Sequence, residues 1–296
     1  SGIGLGEAGQ AVLDALGGKQ TYASTAQQTI AVDDLGEFGV ELDWEYLKQA
    51  ASAENPNIQN LELLRDLASP FVPVEIVCPP IPVNELDRLD DLVARLYAAG
   101  ARGTHDSLMS AFGVHINAEL PALDATTVHN YLRAYCLLQW WLVKAHDVDI
   151  SRRLTPFIDL YPDVYLKRVL ETDAPDLTQI IDDYLTHNPT RNRALDMLPL
   201  FAELDAQRVK ATVEDSRIKA RPTFHYRLPN CLLGEPGWSL ADSWNLWWLV
   251  EELANRPGDL EALSLKFLSR WRPILGIDHG EWIRIIEPWL KSSRLA

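Results

Sequence analysis

The chain has 296 residues, of which 47% are hydrophobic, and 42 acidic and 27 basic residues give it a formal net charge of −15. This length fits one large domain or two smaller ones, since domains commonly span about 100 to 200 residues. An acidic chain lacks the basic surface that nucleic acids and anionic membranes require, so we expect neither as a partner.

The cysteines and the apolar stretches exclude further classes. Cys78, Cys136 and Cys231 form no paired or CxxC pattern, which argues against zinc fingers and disulfide scaffolds and favours a reducing, cytoplasmic setting. The longest apolar stretch, around residues 135 to 143, is too short to span a bilayer.

Helical and strand-like segments alternate along the chain. Residues 11–17 predict a short helix, and the polar stretch 18–28 predicts a loop or arm. Strictly alternating apolar and polar residues predict strands over 38–43, 74–78, 113–117 and 223–228. Apolar residues at helical spacing predict helices over 84–100, 125–146, 176–185, 193–204, 239–254, 260–271 and 281–290.

Long helices between non-adjacent strands imply an α+β fold: a curved, mainly antiparallel sheet with helices on one face and a helical C-terminal region. No linker rich in Pro, Gly or Ser divides the chain. We therefore expect an N-terminal arm over 1–30, a main domain over 31–255 and a C-terminal helical extension over 256–296 packed on that domain. Seven of the ten tryptophans lie from Trp238 to Trp289; they predict core or interface packing, and a homo-oligomer stays open.

The second face of the predicted strands carries polar side chains. Successive strand residues point to opposite faces, so Phe38 and Val40 lie opposite Glu41 and Asp43. The same alternation gives this set of polar residues: Glu41, Asp43, Glu75, His115, Asn117, His225 and Arg227. Carboxylates suit Mg²⁺ or Mn²⁺, imidazole suits a transition metal or phosphate, and arginine pairs with phosphate. The composition favours a ligand-binding face, although a solvated face of an antiparallel sheet produces the same alternation.

Charge is distributed unevenly and supports an anionic ligand. From residue 188 to residue 233 there are eight Lys or Arg residues and five acidic residues, a local excess of three positive charges. A positive stretch in an acidic protein favours a small polyanion such as a nucleotide over a long one.

Five segments, in a fixed order, resemble a known family. They are FGVELD, VEIVCPPIP, GVHIN, TRNRALDMLPL and RPTFHYRLPN, which begin at residues 38, 74, 113, 190 and 221. Over roughly residues 37–255 they resemble the putative amidoligase family, a branch of the carboxylate–amine ligase superfamily that includes glutamine synthetase and glutamate–cysteine ligase. The resemblance implies a glutamine-synthetase-like catalytic domain over 31–255. It also implies an ATP-dependent ligase that forms an amide or peptide-like bond through an acyl phosphate.

The resemblance also implies the ligands and the residues that bind them. The cofactors would be ATP and Mg²⁺ or Mn²⁺, and the substrates a small-molecule or peptide carboxylate and an amine. The metal ligands would be Glu41, Asp43, Glu75 and His225. The nucleotide-binding residues would be His115, Asn117, Arg191, Arg193 and Arg227. The catalytic residues would be Glu75, Arg193 and Arg227.

Two positions depart from the superfamily pattern. His225 stands where relatives usually have Glu, and Asn117 stands where they often have a second His. A histidine can ligate a divalent ion, but this change removes a negative charge from a site that must hold Mg²⁺ beside a triphosphate. Two other functions therefore stay open. One is a ligase-derived nucleotide-binding, peptide-binding or scaffolding protein that has lost catalysis, and the other is a metal-dependent hydrolase that needs no nucleotide.

Overall fold

The computed structural model describes residues 2–42, 73–106, 113–153 and 156–292. The described chain has the α+β fold that the sequence predicts, with one open antiparallel sheet of four strands and eleven α-helices. It divides into two compact units, Ser1–Phe112 with Cys231–Asp242 and Gly113–Asn230 with Ser243–Ala296. The expected partition into an arm, a main domain and a C-terminal extension stays a prediction. None of the helices in the described ranges is long and apolar enough to cross a lipid bilayer.

The first unit is built on the sheet. Its strands are β1 (Lys19–Ala23), β2 (Gln27–Val32), β3 (Gly36–Leu42) and β4 (Val74–Val77), each antiparallel to the next. On one face of the sheet, Ile30, Phe38 and Val40 are fully buried in a cluster with apolar residues of α1 (Leu5–Leu16). Helix α1 packs in turn on α2 (Asp90–Ala98), which follows a 3₁₀ segment at Val83–Leu89.

The stretch 18–28 was predicted as a loop or arm, and this prediction is wrong, because the stretch supplies β1 and the start of β2. Every residue of β1 is exposed. An edge strand that is exposed on both faces has no buried side to impose an apolar alternation, so its sequence gives no periodic signal. Helix α1 also begins six residues earlier than the predicted range 11–17.

The second unit is mainly helical. Its helices are α3 (Ala125–Ala145), α4 (Ile150–Arg153), α5 (Asp163–Glu171), α6 (Leu177–His187), α7 (Leu198–Leu204), α8 (Ala206–Thr212), α9 (Leu240–Ala254, in this unit from Ser243 onward), α10 (Pro257–Arg270) and α11 (His279–Ser292). Helix α3 begins after Asp124, whose carboxylate accepts a 2.8 Å hydrogen bond from the amide of Thr127. It packs against α5, α6, α10 and α11 and so forms the centre of the unit.

Most of the helix predictions are confirmed, namely those over 125–146, 176–185, 239–254, 260–271 and 281–290. The helix predicted over 193–204 begins only at Leu198. Pro199 follows at once, and proline is tolerated in the first turn of a helix but not in its interior. The short helix α8 was not predicted, since Val209 is its one buried residue and it therefore has no apolar periodicity.

The segments 113–117 and 223–228 were predicted as full strands, and this is wrong in detail. They are extended, but they pair through isolated antiparallel bridges rather than a continuous ladder. Pro222 and Pro229 flank the second segment, and a proline has no amide proton to donate to a ladder.

The segment 223–228 nevertheless has hydrogen-bonded neighbours on both sides. Ile116 and Tyr226 exchange two backbone hydrogen bonds of 2.9 Å, and the amide of Asp196 donates to the carbonyl of His225 at 2.9 Å. The segment is therefore the middle one of three, and this places residues 115 and 196 next to its polar side chains.

Candidate functional site

The first unit presents a pair of carboxylates on neighbouring strands. Glu41 of β3 and Glu75 of β4 are directly opposite each other in the antiparallel register. Both lie on the face opposite Phe38 and Val40; Glu41 is half-buried and Glu75 is exposed. Two neighbouring carboxylates offer the oxygen ligands that divalent cations prefer, so this pair suits a bound cation. Asp43, the third carboxylate of the predicted metal site, lies outside the described residues.

In the second unit, both faces of the segment 223–228 are buried. Phe224 and Tyr226 are fully buried, as the alternation predicts, but His225 and Arg227 on the other face are also only 6% and 7% exposed. A purely solvated polar face is therefore excluded for this segment. Polar and charged groups that are buried in this way need partners.

The principal partner is a carboxylate that the sequence analysis did not select. Nη2 of Arg227 donates a 2.6 Å hydrogen bond to Oδ2 of Asp196, which is fully buried at the start of α7. Nε of Arg191 lies 3.8 Å from the same oxygen, and the other carboxylate oxygen accepts a 3.1 Å hydrogen bond from the amide of Leu198. Burial raises the pKa of Asp196, while the two arginines and this amide oppose the shift and favour the ionised carboxylate.

The two arginines predicted to bind nucleotide have different surroundings. Arg191 lies beside Asp196 and belongs to the charged cluster. Arg193 points to main-chain carbonyls instead: its Nη1 donates to Leu160 at 3.0 Å and its Nη2 to His187 at 3.5 Å. The contacts of Arg193 thus tie chain segments together.

Two histidines extend the cluster. Nδ1 of His225 lies 3.0 Å from Nη2 of Arg221, and Nε2 of His225 lies 3.4 Å from Nδ1 of His115. The two imidazole rings meet edge to face with their centroids 5.0 Å apart. His115 and Asn117 are exposed, whereas His225 is buried, so the chain of contacts leads from the interior to the surface of the unit.

The electrostatic surroundings keep both imidazoles neutral. Burial lowers the pKa of His225 well below its usual range, and the positive charges of Arg227, Arg221 and Arg191 add to this effect. The pKa of His115 is lowered by the surrounding protein and by the same arginines. With neutral histidines, the guanidinium groups of Arg191 and Arg227 carry more positive charge than the Asp196 carboxylate between them carries negative charge, so the cluster is suited to an anion.

A further arginine supports the backbone of this cluster. Arg152 of α4 is 2% exposed, and its guanidinium donates to the carbonyls of Arg227, Leu228 and Pro229 at 2.6, 2.7 and 2.9 Å. It also donates to Oδ1 of Asn230 at 3.2 Å. Arg152 therefore fixes the end of the segment that carries His225 and Arg227.

Sequence reasoning missed Asp196, Arg221 and Arg152. One signal was present for Asp196: it is a lone acid in the apolar run ALDMLPL, and a carboxylate in such a run is buried only when it is paired. No comparable local signal marks Arg152 or Arg221, because their partners are defined by the tertiary fold.

The residues fit a metal ion only in part. Glu41 and Glu75 supply the oxygen ligands that Mg²⁺ and Mn²⁺ prefer. His225 fits less well, because Arg221 already occupies its Nδ1. In the described parts of the chain, no group of three or more His, Cys, Asp or Glu side chains is arranged to hold a metal.

The structure places the predicted residues in two sets. Glu41 and Glu75 belong to the first unit, and the second unit holds His115, Asn117, Arg191, Arg193, His225 and Arg227. Within the second unit, His115, Arg191, His225 and Arg227 share one cluster with Asp196. That the two sets serve one site stays a prediction.

Comparison with known proteins identifies the family. No curated protein and no solved structure matches this chain. The family model described as "putative amidoligase enzyme" matches residues 1–249, which is most of the chain and includes β3, β4 and the charged cluster. The chain therefore belongs to the putative amidoligase enzyme family.

Proposed function

We propose that this protein is an ATP-dependent carboxylate–amine ligase that forms an amide or peptide-like bond through an acyl phosphate. The observation that carries the proposal is the pair of guanidinium groups of Arg191 and Arg227 around the buried Asp196, with the neutral His115 beside His225, in a chain whose family match covers residues 1–249. A cluster of guanidinium groups is the arrangement that proteins use to bind phosphate. A glutamine-synthetase-like catalytic fold is part of the same proposal.

The reaction needs such a cluster. Condensing a carboxylate with an amine is unfavourable in water, so ATP first phosphorylates the carboxylate, and the amine then displaces phosphate from the acyl phosphate. Arg227 and Arg191 would stabilise the charge on the transferred phosphoryl group, and His115 would donate a hydrogen bond to it. Asp196 holds Arg227 in place, so that the guanidinium needs no reorientation when the charge develops.

The carboxylates of the first unit would hold a divalent ion. Glu41 and Glu75, with Asp43, are the proposed ligands of Mg²⁺ or Mn²⁺, and the ion would neutralise phosphate oxygens of the nucleotide. Glu75 is also the proposed acceptor of the proton that the attacking amine loses. Two predicted nucleotide contacts, Asn117 and Arg193, stay predictions.

Hydroxylamine trapping tests the function without knowledge of the natural amine. An acyl phosphate reacts with hydroxylamine to give a hydroxamate, so we expect ADP release that depends on a carboxylate and on hydroxylamine when pools of amino acids and peptides are screened with ATP and Mg²⁺. Arg227→Lys should abolish this release, because lysine cannot replace a guanidinium that bonds Asp196 and phosphate together. Arg270→Lys, on the exposed end of α10, is the matched control. Hydrolysis of ATP that depends neither on a carboxylate nor on hydroxylamine would contradict ligation.

One observation favours a second candidate, a ligase-derived nucleotide-binding or scaffolding protein without catalysis. His225 replaces the glutamate of the superfamily pattern and is engaged by Arg221 and His115. Isothermal titration separates the two candidates. Binding of ATP with no hydroxylamine-dependent ADP release across the pools would support the second, and such release would support the first.

A further inference from the structure

The position of His225 in the hydrogen-bond network determines which of its ring nitrogens carries a proton. An arginine side chain can only donate hydrogen bonds, so the 3.0 Å contact from Nη2 of Arg221 makes Nδ1 of His225 an acceptor. Oδ2 of Asp196 lies 3.9 Å from the same nitrogen, which is beyond hydrogen-bond range. Nδ1 of His225 therefore bears the lone pair.

The tautomer of His225 fixes that of its neighbour. A neutral histidine whose Nδ1 is an acceptor carries its proton on Nε2, and this N–H points at Nδ1 of His115 at 3.4 Å. Nδ1 of His115 must then accept, so that its own proton lies on Nε2. Among the described residues, Nε2 of His115 has no hydrogen-bond partner, and its side chain is exposed. The chain Arg221, His225, His115 thus ends in an N–H donor at the surface of the unit.

The same arrangement argues against His225 as a metal ligand. A histidine binds a metal through a nitrogen lone pair. The lone pair of His225 on Nδ1 is used by Arg221, and its Nε2 carries a proton directed at His115. In addition, the positive charges of Arg221, Arg227 and Arg191 act on His225 and would repel a cation at this position.

We propose that His225 is a positioning residue of an anion site: it accepts from Arg221 and donates to His115, and so holds His115 in the tautomer that offers Nε2–H to a phosphate oxygen. His225 is then not a metal ligand. The choice of phosphate as the anion rests on the proposed function, whereas the hydrogen-bond chain rests on the contacts alone.

Two substitutions at position 225 separate the roles. In His225→Gln, the amide oxygen can accept from Arg221 and the amide nitrogen can donate to His115, so the network is kept. In His225→Glu, the carboxylate can only accept. At a pH at which His115 is neutral, the proton of His115 then lies on Nδ1 and a lone pair is left on Nε2. The variant also restores the glutamate that a metal site would use. His279→Gln, on an exposed histidine paired with Asp163, is the matched control.

Phosphate and metal binding are measured on the full chain, with inorganic phosphate, adenylyl imidodiphosphate and Mn²⁺ as probes. If His225 positions His115, phosphate affinity stays within about threefold of the parent in His225→Gln and falls by about tenfold or more in His225→Glu. If His225 is a metal ligand, Mn²⁺ binds more weakly to His225→Gln and at least as tightly to His225→Glu, and the proposal is overturned.

Long-range ¹H–¹⁵N NMR reports which nitrogen of each histidine ring carries the proton. If His225 only contributed to stability, its substitution would not change the tautomer of His115. We expect the Nε2–H tautomer at both His225 and His115 in the parent protein, and the opposite tautomer at His115 in His225→Glu. Should His225→Glu fail to fold, the parent spectrum decides alone, because an Nδ1–H signal at either ring overturns the proposal.

The two phosphate probes distinguish the source of the anion. A response of His115 to adenylyl imidodiphosphate alone assigns the phosphate to the nucleotide, and a response to inorganic phosphate as well assigns it to the transferred group. A response to neither overturns the proposal. Since no readout requires amide formation, a lack of ligase activity would leave this inference intact, and a wrong tautomer would leave the ligase proposal intact.

Discussion

Asp196 and Arg227 form a buried ion pair, with 2.6 Å between Oδ2 and Nη2 and side-chain exposures of 0% and 9%. The pair belongs to the cluster that we propose binds phosphate, so it serves two purposes. It gives Asp196 the partner that a buried carboxylate requires, and it orients a guanidinium that has further donors to offer a ligand.

We expect Asp196→Asn to lower the free energy of unfolding by about 3 to 5 kcal/mol, because the change leaves Arg227 as a buried charge without a counter-ion. Denaturant unfolding measures the loss. The control is Asp182→Asn, which removes the charge from an ion pair with Arg208 in which the aspartate is 52% exposed; it should cost less than about 1 kcal/mol. Equal effects of the two changes would contradict the structural role of Asp196.

Acidification should destabilise the protein before its carboxylates titrate. Burial lowers the pKa of His225 and of His129, and burial and Arg152 lower the pKa of His146 to about 3. As the pH falls below about 6.5, the unfolded chain therefore binds protons that the folded chain does not, and the free energy of unfolding decreases. We expect a loss of roughly 1 kcal/mol per histidine between pH 7.5 and pH 5.5, with His225→Gln losing less than the parent by about that amount. A stability that is flat over this range would contradict the expectation.

The spacing of apolar residues along the chain was sufficient to predict a strand or a helix where one face of that element is buried. The alternation at Phe38, Val40 and Glu41 predicted β3 and its polar face, and helical periodicity predicted α3 within a residue of its ends. It failed for β1, because that strand buries nothing. The same pattern that revealed Glu41 was therefore bound to miss a fully exposed edge strand.

The charged cluster was only partly predictable for a different reason. His225 and Arg227 were found because they alternate with apolar residues, and Arg191 because the segment TRNRALDMLPL resembles the corresponding segment of the family. Their partners are brought to them by the tertiary fold. Asp196 lies 2.6 Å from Arg227, and Arg221 lies 3.0 Å from His225. A single sequence does not indicate which distant residues will pair. The one indication here was an acidic residue, Asp196, within an apolar run.

Arg152 should be irreplaceable by lysine. It is buried and donates to four acceptors at the end of the segment 223–228, whereas a lysine ammonium has three donors and no planar fork. We expect Arg152→Lys to lower the free energy of unfolding by about 2 to 3 kcal/mol, since buried carbonyls lose their donor. Arg153→Lys, at the exposed neighbour on the same helix, should change stability by less than about 0.5 kcal/mol. A loss of similar size in both variants would argue against a specific role for Arg152.

Substitutions of Arg191 and Arg193 should have different effects, the first on ligand affinity and the second on the free energy of unfolding. Arg191→Gln removes a charge beside Asp196, so we expect adenylyl imidodiphosphate to bind about tenfold more weakly, with little change in the free energy of unfolding. Arg193→Gln removes the donor to the carbonyl of Leu160, so we expect a loss of about 2 kcal/mol in stability and little change in affinity. Titration calorimetry and denaturant unfolding test both variants. The reverse pattern would assign the phosphate contact to Arg193 instead.

Removing one carboxylate of the Glu41–Glu75 pair should stabilise the metal-free protein but weaken its binding of metal. Without metal, Glu41→Gln removes the repulsion from Glu75 across the β3–β4 pairing, and we expect the free energy of unfolding to rise by about 0.2 to 1 kcal/mol. With Mn²⁺, the same change removes a proposed ligand, so the affinity for Mn²⁺ should fall. We expect a fall of at least about tenfold, because even the loss of a residue that only orients a metal ligand commonly weakens metal binding by about that factor. Glu37→Gln, at an exposed position of the same strand, is the control for both measurements. A stability gain without any loss of Mn²⁺ affinity would show that the pair repels but does not bind the ion, and would remove Glu41 from the metal site.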